Sequence, residues 1–165
     1  MRQILLIARQ LTVAGAMIDP QTAKFIDTQK DLHEEISAEL STFGQVLKKS
    51  TSGVFPRAQT PAPDTKSVEL APTFFAEILP LVIKSDCVVV VRDGQNDLRG
   101  AIVMFASMER RPVLALLQEP KGVHLPGDPL YHLPNITNVR FHHFPEAKNG
   151  IARFMNGIPL RQAAG

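Results

Sequence analysis

The residues best placed to do chemistry lie in one stretch, Asp93-Gly94-Gln95-Asn96-Asp97-Leu98-Arg99-Gly100. Asp93 and Asp97 can accept hydrogen bonds from sugar hydroxyls, and Arg99 can face a phosphate or carboxylate. Gly94 and Gly100 let a backbone approach a ligand closely, and a helix starting at Asp97 would offer free N–H groups to an anion or a ribose. The same residues also make an ordinary turn with an Asp cap, so both readings stand. Glu119 follows an apolar run, where an α/β site wants a carboxylate. It reads either as a general base or as a solvated loop residue. Asp93 and Glu119 are thus the candidate catalytic carboxylates.

Other chemistry-bearing groups are less well grouped. His142 and His143 are adjacent, and on a strand they would face opposite sides, one buried and one exposed, so no shared metal ion is expected. His124 and His132 flank a proline-rich loop with Asp128 and Tyr131, as surface residues or as acid–base groups. Cys87 opens a valine run and reads as a buried, inert thiol. No G-x-G-x-x-G or G-x-x-x-x-G-K-[ST] pattern occurs, so neither a dinucleotide cofactor nor a triphosphate loop is implied, and no cofactor is expected.

These residues need elements to hold them. Ile4 to Ile7 is a short apolar run suited to a strand covered on both faces. Asp19-Pro20 reads as an N-cap followed by proline at the first helical position. Phe25, Leu32, Ile36, Leu40 and Phe43 then mark one face of an amphipathic helix that Gly44 stops. Gln45 to Lys49 predicts a second strand. Residues 50–66, with Gly53, Pro56, Pro61 and Pro63 among Ser and Thr, read as a mobile loop that can close over a site. A second helix is expected to start near Ala71-Pro72, with Phe75, Ile78, Leu79 and Val82 on one face and a break at Pro80. Cys87 to Val91 and Pro112 to Leu117 read as buried central strands. Between them runs a helix carrying Leu98, Ile102 and Phe105 and ending near Arg110-Arg111. Val139 to Phe144 predicts a last strand, and Pro145 a last helix through Phe154.

This alternation of strands and helices argues an α/β three-layer sandwich with a parallel sheet of about five strands, in one domain spanning residues 1–165. Ligands in such sheets collect outside the carboxyl ends of the strands. Three segments would meet there: Ala14 to Ile18, Asp93 to Gly100, and Gln118 to Gly127. Gly15 and Met17 therefore join Asp93, Gly94, Asp97, Arg99 and Gly100 as candidate ligand-binding residues.

Composition excludes several classes. Of the 165 residues, 44% are hydrophobic and 21% charged, which argues against disorder. A net charge of +2, no Trp and one Tyr make a poor nucleic-acid surface. No apolar run is long enough for a membrane span, and Arg9 interrupts the N-terminal apolar run too early for a signal peptide. A lone cysteine fits a reducing compartment, and a cytoplasmic location is expected. A self-association surface is expected around Leu98, Ile102, Phe105 and Met108.

Ser85-Asp86 before Cys87–Val91, then Asp93-Gly94, Asp97, Gly100, a helix, and Arg111-Pro112-Val113, together resemble the core of the nucleoside 2-deoxyribosyltransferase family. Ala14-Gly15-Ala16-Met17 is similar to that family's A-G-P segment after the first strand. The resemblance covers roughly a quarter of the chain. It implies a flavodoxin-like or Rossmann-like fold, a nucleoside or nucleotide as the small-molecule partner, and action on an N-glycosidic bond. The family's nucleophilic glutamate lies on the helix after the glycine. Here those positions are Ile102, Val103 and Met104, and Glu109 lies at the far end of the helix. If the chain cleaves the bond, Asp93 or Glu119 must stand in. The alternative is an inactive member of the fold that serves as an interaction or ligand-sensing subunit.

Overall fold

In the computed structural model, the described residues are 1–12, 20–54, 76–92, 97–119 and 132–159. In chain order they form β1 (Gln3–Thr12), α1 (Pro20–Ser41), β2 (Gln45–Val54), α2 (76–84), β3 (Cys87–Arg92), α3 (Asp97–Met108), β4 (Val113–Gln118), β5 (Ile136–Phe141) and α4 (Phe144–Gly157). The five strands make one all-parallel sheet in the order β2-β1-β3-β4-β5. This is the doubly wound order whose direction of growth switches between β1 and β3.

The sheet is covered on both faces, which explains why its central strands read as unbroken apolar runs. Ile4, Leu6, Cys87, Val89, Val91, Leu114 and Leu116 point to one face and pack under Leu32, Ile36 and Leu40 of α1 and Ile151, Phe154 and Met155 of α4. Leu5, Ile7, Val88, Val90, Val113 and Ala115 point to the other and pack under Ile78 and Val82 of α2 and Ile102, Val103 and Ala106 of α3. The period-2 alternation within the valine run thus feeds two cores at once. β5 is an edge strand, and Thr137, Asn138 and Arg140 remain exposed on it.

Several boundaries differ from the sequence expectation. β1 and β2 pair from Gln3↔Gln45 through Thr12↔Val54, whereas β1 pairs β3 only over Ile4 to Ile7. Residues 8–12 and 50–54 therefore run on as a parallel ribbon past the last β1–β3 pair. Residues 50–54 extend β2 instead of opening a loop, and residues 55–66 lie outside the described residues. The ribbon's Ser, Thr and Gly content conceals it, because no apolar alternation marks those positions. Pro80 does not break α2. It sits exposed within the helix and removes one bond, that to residue 76, while Ile78 and Val82 stay anchored in the core. β5 lies three residues earlier than expected, so His142 and His143 follow the strand. Both are exposed, where one buried and one exposed were expected.

The amino edge of the sheet is tied by side chains to backbone. The Arg2 guanidinium donates to Met155 O at 2.9 Å and to Ile158 O at 2.7 Å, capping the C-terminus of α4. Gly44 is required there, because a Cβ would stand 2.5 Å from Arg2 O and 2.9 Å from Arg2 Cβ. Asp86 brackets Gln3: its N–H donates to Gln3 O at 2.8 Å, and its Oδ2 accepts from Gln3 N at 2.8 Å. Ser85 Oγ donates to Leu81 O at 2.6 Å, closing the end of α2. α3 ends in a Schellman turn, with Arg110 N–H to Ser107 O and Arg111 N–H to Ala106 O, and Arg110 takes the left-handed position at φ 52°.

Candidate functional site

The doubly wound order predicts a crevice outside the carboxyl ends of β1 and β3, where connections leave the sheet in opposite directions. The chain exits at Thr12, Arg92 and Gln118 all lie on this edge. Gly15, Met17, Asp93 and Gly94 lie outside the described residues, as do His124, Asp128 and Tyr131. Asp97, Arg99 and Gly100 form the first turn of α3, and Gly100 is buried there. The helix start read from Asp97 is thus found at the carboxyl edge, as an N-terminal site requires.

β4 carries two polar residues to this edge. Gln118 ends the strand on the α1 face, and its Oε1 accepts a 2.8 Å hydrogen bond from Gln29 Nε2 of α1. Gln29 is only 4% exposed, although it lies among Leu32, Ile36 and Leu40 on the buried side of α1. Its Oε1 is buried and finds no hydrogen-bond partner among the described residues. The α1 periodicity contained Gln29 at the helical spacing, four residues after Phe25 and three before Leu32. A buried polar residue at that spacing was the signal, hidden because a glutamine there also reads as the solvated margin of the stripe.

Glu119 stands one residue further on and is 7% exposed, so it is not a solvated loop residue. Its carboxylate is ion-paired with Arg140 of β5, its N–H donates to Phe141 O at 2.9 Å, and its carbonyl accepts from the His142 ring. A carbonyl only accepts, so Nδ1 of His142, 2.9 Å away, carries the proton. The His142 backbone N–H donates to Glu146 Oε2 at 2.7 Å, and this bond holds the Glu146 carboxyl below its ordinary range. Glu119, Arg140 and His142 therefore form one braced corner across the ends of β4 and β5. The Arg140 guanidinium occupies the Glu119 carboxylate, so this pairing braces the ends of β4 and β5.

The remaining sequence candidates separate cleanly. Cys87 is fully buried with Sγ 4.0 Å from Met155 Sδ, and burial pushes its thiol up to about 12, so it stays protonated at neutral pH. Ile102 and Val103 lie in the core under α3, while Met104 is exposed. Glu109 falls in the exposed Schellman turn at the opposite end of the helix. Ile102 is 0% exposed and cannot belong to a contact surface between copies; among the described side chains of α3, the exposed large apolar ones are Met104 and Met108. Among the described residues no three His, Cys, Asp or Glu side chains gather to hold a metal ion. No described helix is long and apolar enough to cross a membrane.

Fold and edge together define a doubly wound α/β protein whose carboxyl edge carries buried polar side chains. No protein-family model and no curated protein matches the chain. Among solved structures it is similar to a 2-deoxyribosyltransferase from the psychrotolerant bacterium Bacillus psychrosaccharolyticus. That likeness has a TM-score of 0.44 and 15% identity, over 89% of this chain and 90% of the other.

Proposed function

We propose that this protein binds a nucleoside or nucleotide at the carboxyl edge of its sheet, with Gly15, Met17, Asp93, Gly94, Asp97, Arg99 and Gly100 as the contacting residues. The observation that carries the reading is the strand order, which brings the exits of β1, β3 and β4 to one edge around the switch point. The first turn of α3 sits at that edge, and a helix start supplies N–H groups to ribose or phosphate oxygens. The resemblance of Asp93-Gly94, Asp97 and Gly100 to the deoxyribosyltransferase turn points to the same ligand class. If the bound molecule is cleaved, the bond is the N-glycosidic one and the nucleophile is Asp93, because Arg140 engages Glu119.

A second reading is favoured by that same ion pair and by the apolar residues at 102–104: a ligand-sensing domain of this fold without turnover. A thermal-shift screen with nucleosides, nucleotides and sugar phosphates tests binding. A rise in melting temperature with nucleosides or nucleotides and none with sugar phosphates is the expected result; no shift with any nucleoside or nucleotide rejects the proposal. Incubation with deoxynucleosides then separates the two readings, since release of free base is expected only from an enzyme.

A further inference from the structure

The Gln29–Gln118 pair has the position and the chemistry of a ligand contact. The last β3–β4 pair is Arg92↔Leu117, so Gln118 stands one step past the point where β3 ends. Neighbouring strands lie about 4.8 Å apart, which puts Gln118 beside the end of β3 at Arg92. Gln29 reaches it from α1, which packs on that face of the sheet. A side-chain amide has two donors and an acceptor, and this one uses Nε2 on Gln118 while Oε1 stays buried and unmatched among the described residues. Burying an acceptor without a donor costs about 1–3 kcal/mol, which two apolar residues of the same shape would avoid. Leu or Met at position 29 would continue the apolar stripe of Leu32, Ile36 and Leu40 without that penalty.

We propose that Gln29 Oε1 accepts a hydrogen bond from an N–H of the heterocyclic base of the ligand, and that Gln118 orients the Gln29 amide for it. This inference rests on the nucleoside reading and sharpens it, by assigning the base to the α1 side of the edge and the sugar to the Asp93–Gly100 side. The amide explains a preference for the base rather than for the sugar or phosphate, because it offers an oriented acceptor and no charge.

The test uses the full chain, with adenosine and inosine as nucleosides whose bases bear an N–H and purine riboside as one whose base bears none. Calorimetry is run on the wild type and on the double variant Gln29→Met with Gln118→Met, which removes both partners and leaves neither amide orphaned. The wild type is expected to bind adenosine or inosine about tenfold tighter than purine riboside. The double variant, shown to be folded by its circular dichroism and melting transition, is expected to bind the three alike. Equal binding of all three by the wild type, or an unchanged preference in the double variant, overturns the inference and leaves the nucleoside reading intact. In that case the orphan oxygen serves a buried water only. Absence of nucleoside binding by the wild type rejects both.

Discussion

The two edges of the sheet are built on different plans. At the amino edge, most side chains bond to backbone: Arg2 to the last carbonyls of α4, Asp86 to Gln3, Ser85 to Leu81, and Asn135 Nδ2 to Arg111 O at 2.6 Å, while Asn135 Oδ1 accepts from Ser107 Oγ at 2.6 Å. Each such bond ties a helix end or a strand start to its neighbour. At the carboxyl edge, two side-chain pairs join neighbouring elements, Gln29 to Gln118 and Glu119 to Arg140, beside the side-chain-to-backbone bonds of His142 and Glu146. Side-chain pairs can be remade around a ligand, whereas backbone ties cannot be changed without moving an element. Backbone ties thus predominate at the amino edge, and partly buried side-chain pairs stand at the carboxyl edge, where the proposed site lies. The comparison also divides the family-like residues. Ser85-Asp86 and Arg111-Pro112-Val113 stand on the amino edge and carry the fold, while Asp97 and Gly100 open a helix on the carboxyl edge and belong to the proposed site.

Substitutions can break this division, beginning at the amino edge. Gly44→Ala drives a Cβ into the Arg2 backbone at 2.5 Å and is expected to cost about 3 kcal/mol, read from the urea midpoint. Arg2→Met removes two charged hydrogen bonds from the end of α4 and should cost about 2 kcal/mol. Both variants should leave the affinity of any bound nucleoside unchanged at temperatures where they are folded; a loss of affinity would show that the two edges are coupled.

Cys87 gives a pH-dependent test of the core between the edges. Its thiol rises from 9.0 to about 12 on folding, through burial first and then the nearby Asp86 carboxylate. A raised pKa means that the unfolded chain ionises first. The contribution is complete below pH 9 and is lost progressively as pH rises from 9 towards 12. At pH 10 the loss is about 1 kcal/mol, and Cys87→Ala should remove that part of the alkaline destabilisation. Identical alkaline slopes in the two proteins would contradict the buried-thiol account.

At the carboxyl edge, Glu119→Gln leaves Arg140 without its carboxylate. Arg140 is 35% exposed, so water screens the pair and the expected cost is about 1 kcal/mol by thermal melting, less than for either amino-edge variant. The smallest effect has the opposite sign. Arg110 holds φ 52° at the end of α3, and Arg110→Gly should stabilise by about 0.5–1 kcal/mol, raising the melting temperature by roughly 2–3 °C.

The strand cores were legible because a strand buried on both faces has no polar position to confuse the reading: Val88 to Val91 and Val113 to Leu117 needed only their own composition. The helix stripe of Leu32, Ile36 and Leu40 was legible for the same reason of period. The ribbon at residues 50–54 was not, since two polar strands paired to each other leave no apolar pattern. The end of β5 was misplaced because Val139 to Phe144 holds apolar residues on both sides of the true boundary at Phe141. Glu119 could be located but not interpreted, since its partner Arg140 lies 21 residues away.

What the sequence determined by itself was the alternation of apolar strands and amphipathic helices, and with it a parallel sheet covered on both faces, because burial demands those periods locally. Tertiary structure alone decided which residues meet. The order β2-β1-β3-β4-β5 sets the switch point, and side chains from α1 and β4 become neighbours only when α1 packs on its face of the sheet. Gln29 and Gln118 are 89 residues apart, and no local pattern encodes their hydrogen bond. Pairing over that distance depends on how elements pack, and packing is a property of the whole chain.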